Sequence, residues 1–246
     1  MAEGIVLFLC DTGWSFGKLR KAAGGERMKL DKKDLLLYAV TDRSWLDGRT
    51  LYEQVQQALQ GGVTMLQLRE KNRSGQELFH EAMQIKKLCA RYEVPFIIND
   101  NVFLAQETDA DGVHLGQNDM DAGSARARLG PDKIIGVTAR TVQQALAAQA
   151  QGADYIGTGA VFATATKQDA QVIGPKQLKG ICNAVTIPAV AIGGITGENM
   201  AELSGSGICG IAVVSALFAR PDIRLAAEQL RKKAEGMIWN HFTGNL

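Results

Sequence analysis

The runs Phe96-Ile-Ile-Asn-Asp100 and Gly112-Val-His-Leu-Gly-Gln-Asn-Asp119 each begin as a short apolar stretch and end on a carboxylate. Each reads as a buried strand that leaves its acidic residue at the strand's carboxyl end. Outward from this pair, short β-branched or apolar runs recur at Leu35–Val40, Met65–Arg69, Phe96–Asn99, Gly112–Leu115, Ile134–Val137, Tyr155–Gly157, Ala189–Ile192 and Gly210–Val214. Amphipathic segments separate most of them. One spans about Thr50–Gln60, with Leu51, Val55, Ala58 and Leu59 on one side. Another spans about Ser74–Tyr92, with a stripe of Leu78, Ala82, Ile85, Cys89 and Tyr92, and a third follows Thr141 with Val142, Ala145 and Leu146 on one face. These spacings are those of helices with one apolar face. Gly61-Gly62 and Gly152 stand where a helix ends in a left-handed residue, and Pro95 and Pro188 precede strands where a helix cannot continue.

Strand–helix alternation implies parallel strands. Eight such units over roughly 210 residues predict an α/β fold, a closed (β/α)8 TIM barrel. The alternative is a doubly wound open sheet, which usually has fewer units and a GxGxxG turn; neither the count nor the motif favours it. The barrel is expected over residues 31–236, with residues 1–30 outside it and 237–246 a short tail. The run Gly24-Gly25-Glu26-Arg27 can be encoded by a purine-rich ribosome-binding sequence, so Met28 is an expected natural start and residues 1–27 a translated leader. The competing expectation is a poorly packed extension or a small N-terminal cap. An endogenous N-terminus at Met1 or Ala2, read by mass spectrometry, would rule out the leader.

Composition narrows the function classes. At 246 residues and 46% hydrophobic content the chain can build a substantial core. A net charge of +1 provides no basic field for nucleic acid. Cys10, Cys89, Cys182 and Cys209 are widely spaced and form no CxxC pair, which fits reduced thiols and a cytoplasmic location rather than a structural zinc site. No apolar run is long enough to span a bilayer, and the Ile5–Cys10 stretch lacks the basic flank and cleavage site of a signal peptide.

In such a barrel the chemistry sits at the carboxyl ends of the strands. Asp100 and Asp119, with the amides of Asn99 and Gln117 beside them, suit a hard divalent cation such as Mg²⁺. Gln67, Arg69 and Lys71 alternate along an extended segment and are expected to share one face, where an amide and two cations suit a pyrophosphate. The loop Thr164-Ala-Thr166-Lys167 offers a second anion cradle. Gly193-Gly194 after the seventh strand and Ser215 after the eighth occupy a common barrel phosphate site. Asp42 and Arg43 are expected to pair at the rim. His114 reads as a satisfied structural histidine, and His80 and His241 as helix-surface residues.

The ordered set Tyr38-Ala-Val-Thr-Asp42, Gln67-Leu-Arg-Glu-Lys71, Asn99-Asp100, Asp111-Gly-Val-His-Leu-Gly-Gln117 with Asp119, Gly136-Val-Thr138, Val161-Phe-Ala-Thr-Ala-Thr-Lys167, Ala191-Ile-Gly-Gly-Ile195 and Val213-Val-Ser215 resembles the thiamine phosphate synthase family. The resemblance implies a Mg²⁺-dependent transferase of thiamine biosynthesis with two small-molecule substrates. The nitrogen of 4-methyl-5-(2-phosphooxyethyl)thiazole displaces pyrophosphate from 4-amino-2-methyl-5-(diphosphooxymethyl)pyrimidine. It implies that the run Gln67, Leu68, Arg69, Glu70 and Lys71, with Asn99, Thr138 and Lys167, holds the pyrimidine diphosphate. By the same resemblance Thr164, Ala165, Thr166, Gly194, Val214 and Ser215 hold the thiazole phosphate, and Asp100 and Asp119 bind Mg²⁺. Arg69, Lys71, Lys167 and Thr138 are then the groups expected at the reacting centre. Thr138 replaces the usual serine and keeps its hydroxyl; Ala163 replaces a usual proline. Two rivals stand beside this reading. A thiazole tautomerase of the same fold uses a histidine where Arg140 stands here, and arginine stays protonated. A non-catalytic sensor of phosphorylated ligands would keep Gly194 and Ser215 without needing the carboxylate pair.

Overall fold

A computed structural model describes residues 30–71, 73, 75–164 and 172–239. Eight parallel strands close into a barrel in sequence order: β1 (Leu37–Val40), β2 (Met65–Leu68), β3 (Phe96–Asn99), β4 (Gly112–Leu115), β5 (Ile134–Thr138), β6 (Tyr155–Thr158), β7 (Ala189–Ile192) and β8 (Gly210–Val213). β1 pairs with both β2 and β8, which completes the ring and leaves no open edge. Around it lie α1 (Leu51–Gln60), α2 (Gly75–Arg91), α3 (Val102–Glu107), α4 (Ala122–Leu129), α5 (Val142–Ala150), α6 (Gly174–Ala184), α7 (Ser215–Phe218) and α8 (Ile223–Trp239). The TIM-barrel expectation therefore holds, and the open sheet is excluded.

Each strand buries both faces, and its residues alternate between two cores. Leu37, Ala39, Leu66, Leu68, Phe96 and Ile98 face outward into the layer shared with the helices. Tyr38, Val40, Met65, Ile97, Ile134, Tyr155, Val190 and Ala212 fill the barrel interior. Glycines on the strands make room for large interior side chains. A Cβ on Gly136 would lie 2.1 Å from Cζ of Tyr155, and one on Gly157 would lie 2.9 Å from Cε1 of His114. These two strand-interior glycines are places of close approach, not of bending.

Local chemistry sets the element boundaries. Thr50 and Glu53 form a reciprocal capping box at the start of α1. Asn101, Asp121 and Thr141 each accept a backbone N–H at the starts of α3, α4 and α5. Gly62 (φ 90°) and Gly152 (φ 85°) take the left-handed conformation that follows a helix. At the amino ends of the strands the polar residues are structural. Leu37 N–H donates to Thr64 Oγ1, Phe96 N–H to Asp111 Oδ2, and Ile135 N–H to Asp154 Oδ2, at 2.9, 2.8 and 2.8 Å.

Some expectations change. The first strand starts at Leu37, because Asp31 caps a 3-10 turn over Lys32–Leu35. The inward stripe of α5 runs through Ala145 and Ala148, and Leu146 is turned to solvent, 45% exposed, one helical step from Ala145. The last helix runs to Trp239, past Gly236. The proposed leader (1–27), Cys10 and His241 lie outside the described residues. No helix among the described residues is long and apolar enough to cross a membrane.

Candidate active site

Backbone register alone brings much of the site together. Asn99 pairs with His114 across β3 and β4, and Asp100 N–H donates to the His114 carbonyl at 2.8 Å. Asp100 leaves β3 in a left-handed conformation (φ 62°), which swings its carboxylate toward Asp119 beyond β4. A tight turn locks Asp119, whose Oδ2 accepts the N–H of Gly116 at 2.6 Å. The two carboxylates that opened the sequence reading therefore do converge. Asp100 still reaches solvent, yet its carboxyl is pushed up to about 6, first by partial desolvation and then by the facing Asp119; the amide of Asn99 and the charge of Arg69 act in the opposite direction. Gln117 turns away from this pair and donates from Nε2 to the carbonyl of Thr138 at 2.5 Å.

Beside the pair, a cavity opens at the carboxyl ends of the strands. Of the residues expected to bind substrate, Gln67, Arg69, Asn99, Thr138, Thr164, Gly194, Val214 and Ser215 line its wall. Others in the expected set lie elsewhere. Leu68 belongs to the outer core, and Glu70 turns its side chain away from the cavity into an ion pair with Arg43 at 2.7 Å. β2 ends at Leu68, so the alternation that was to align Lys71 with Gln67 and Arg69 stops short; Lys71 is exposed and outside the cavity wall. Ala165, Thr166 and Lys167 lie outside the described residues.

The expected Asp42–Arg43 pair does not form. Asp42 is extended, and its Oδ1 accepts the Ser44 N–H at the start of a 3-10 turn (Arg43–Trp45). Its other oxygen meets Arg69 Nη1 at 3.2 Å. Arg43 points the opposite way, into Glu70 and Glu81. Consecutive residues at such a corner diverge, so each finds its partner on a neighbouring element. The result clamps the β1 and β2 ends to α2 and holds Arg69 at the cavity wall.

Sequence reasoning missed two features. Arg140 lines the cavity with its Nε buried and without a hydrogen-bond partner among the described residues. The second is a hydrogen-bonded file across the barrel interior. Gln67 Nε2 donates to the Tyr38 hydroxyl at 2.7 Å, and the Tyr38 and Tyr155 hydroxyls are 2.8 Å apart. The Tyr155 hydroxyl lies 3.0 Å from His114 Nδ1, and His114 Nε2 lies 3.0 Å from Thr138 Oγ1. Burial holds both phenols well above their ordinary value, and it pushes the imidazole down to about 4. His114 is thus satisfied on both nitrogens, as expected, yet it also forms part of the cavity wall. The strand glycines Gly136 and Gly157 were the available signal, since each marks a large neighbour. His80, as expected, is exposed on α2.

Comparison with known proteins agrees with this geometry. A family model described as thiamine monophosphate synthase matches residues 37–217. The chain is 47% identical over 199 residues to a thiamine-phosphate synthase of Ruminiclostridium cellulolyticum, covering 81% of this chain and 95% of that protein. It is 42% identical over 206 residues to a thiamine-phosphate synthase of Persephonella marina, covering 84% and 99%. A solved thiamine phosphate pyrophosphorylase from Pyrococcus furiosus superposes with a TM-score of 0.78 at 40% identity, covering 84% of this chain and 98% of that one. A barrel of this topology, carrying these side chains at its carboxyl end and matching these relatives over most of its length, belongs to the thiamine monophosphate synthase family.

Proposed function

We infer that this protein is a thiamine-phosphate synthase, a transferase that joins the pyrimidine diphosphate to the thiazole phosphate and releases pyrophosphate. The observation that carries this is a cavity whose wall combines Gln67, Arg69, Asn99 and Thr138 with Thr164, Gly194, Val214 and Ser215. The first set suits the pyrimidine diphosphate and the second the thiazole phosphate. Gly194 (φ 65°) has no room for a Cβ, which would lie 2.3 Å from the Ala163 carbonyl oxygen. Packing of the Phe162–Ala163 backbone against Gly194 therefore fixes this corner of the cavity wall.

The chemistry needs charge management rather than proton abstraction. The attacking thiazole nitrogen carries no proton to remove. The pyrimidine's amino group can feed electrons toward the methylene carbon as the carbon–oxygen bond to diphosphate breaks. Arg69 is positioned by Asp42 to take up charge that develops on the diphosphate, and Lys71 and Lys167 are proposed to join it. His114, neutral and bonded on both ring nitrogens, adds no positive charge to the cavity wall.

Asp100 and Asp119 are the proposed Mg²⁺ ligands. Two mutually repelling carboxylates with no histidine or cysteine between them would suit a hard, oxygen-preferring cation. The chemistry that Mg²⁺ supplies when bound is neutralisation of charge on the diphosphate.

The test is to mix both phosphorylated precursors with the protein and Mg²⁺ and to assay thiamine phosphate and pyrophosphate. Product supports the reading. Binding without product would favour the sensor, and isomerisation of the thiazole alone would favour the tautomerase.

A further inference from the structure

The file of groups from Gln67 to Thr138 has a direction, and that direction has a consequence for Thr138. Each phenol has one proton to give, and the neutral imidazole has one. Among the described residues each of these buried groups has only its two neighbours in the file as partners, so a proton turned elsewhere would go unpaired, and fixing one end fixes every link. With the Gln67 amide turned so that Nε2 faces Tyr38, the Tyr38 hydroxyl accepts from it and gives its own proton to its other partner, Tyr155. Tyr155 then gives its proton to His114 Nδ1, 3.0 Å away. That leaves the ring proton on Nε2, which donates to Thr138 Oγ1. The Thr138 hydroxyl, already accepting, has its proton free for the cavity that Thr138 lines.

We propose that Tyr38, Tyr155 and His114 are positioning residues: a one-way hydrogen-bond file across the barrel holds the Thr138 hydroxyl as a donor to an acceptor atom of the pyrimidine diphosphate. This rests on the proposed function for the identity of the acceptor, but not for the file itself. Buried hydroxyls at these positions cost free energy unless paired, and a phenylalanine at either tyrosine would fill the same space. The barrel instead sets small residues around them. Gly136 beside Tyr155 and Gly157 beside His114 have no room for a Cβ, so the strands are shaped around the file. A hydroxyl whose rotation is fixed in advance presents its proton without reorganising when substrate enters. Left to itself, a threonine hydroxyl would turn equally well to give or to accept.

The experiment reads the His114 tautomer in the full-length, substrate-free protein at neutral pH. Long-range ¹H–¹⁵N correlation distinguishes a protonated from a bare ring nitrogen, and a His114→Gln spectrum assigns the signals. A proton on Nε2 with Nδ1 bare is expected. A proton on Nδ1, or on both nitrogens, overturns the proposal, because the file would then run the other way or not at all. This readout does not depend on activity, so it separates failure of the file from failure of the functional reading. In Tyr155→Phe the ring is kept and the donor to Nδ1 removed. The tautomer preference should be lost and kcat should fall roughly tenfold, the scale of one hydrogen bond, while KM for the thiazole phosphate stays within about twofold. A variant that keeps both the tautomer and kcat overturns the proposal.

Discussion

Replacing Asp100 with asparagine should make the metal-free protein more stable and the enzyme worse. In the free protein the Asp100 carboxyl is pushed up to about 6 from an ordinary value near 3.8, by partial desolvation and then by Asp119. A gap of that size in a dry site is worth about 3 kcal/mol. Asp100 reaches solvent, and screening reduces the figure to about 1 kcal/mol. The native state binds this proton more tightly than the unfolded chain does. The penalty is therefore absent at pH values below the unfolded value, grows as pH rises toward 6, and is complete above it. Asparagine removes the repulsion and keeps the backbone content, because it tolerates the left-handed conformation (φ 62°) that Asp100 adopts. In EDTA at pH 8, Asp100→Asn should unfold about 2–4 °C higher than the parent chain. At pH 5 the difference should shrink. With Mg²⁺ the order should reverse, since the parent gains stability from the ion and the variant gains less. Thermal unfolding at both pH values, with and without Mg²⁺, together with turnover, measures all of this. An Asp100→Asn chain that is no more stable at pH 8 in EDTA, or that is activated by Mg²⁺ like the parent, would refute the reasoning.

Three further perturbations test other parts of the structure. Arg43→Met leaves the Glu70 carboxylate, 3% exposed, without its partner, and should cost about 3 kcal/mol in urea unfolding; a loss under about 1 kcal/mol would mean that the clamp is dispensable. Gly136→Ala places a Cβ 2.1 Å from Tyr155 and should destabilise by about 1–3 kcal/mol. A melting curve identical to the parent's would show that the interior can give way there. Arg140→Gln removes a cavity-lining guanidinium whose Nε has no hydrogen-bond partner among the described residues, and should raise KM for at least one of the phosphorylated substrates roughly tenfold with little loss of stability. An unchanged KM for both substrates would remove Arg140 from the binding surface.

The strands and helices were legible because their signals are local. Alternation of apolar runs with 3.6-residue stripes and the glycines after helices act over a few residues. The convergence of Asp100 and Asp119 was legible for a related reason. In a barrel of consecutive parallel strands, β3 and β4 must be neighbours, so their carboxyl ends must be too. The alternation that was to align Lys71 with Gln67 and Arg69 was carried past Leu68, where the strand stops and the side-chain alternation is no longer enforced. Leu146 was misplaced by a single helical step, which is enough to turn a side chain from core to solvent.

The sequence by itself determined the barrel, the strand order and the family, because periodic pattern, helix-ending glycines and an ordered set of motifs are properties of the chain taken a segment at a time. Only the tertiary structure decided which polar groups meet. Asp42 pairs with Arg69 instead of its neighbour Arg43, and Tyr38 meets Tyr155 from a position 117 residues away. Those contacts depend on strand stagger and on which way each side chain leaves the backbone. Both are set by closing the ring, so neither is written in any one segment.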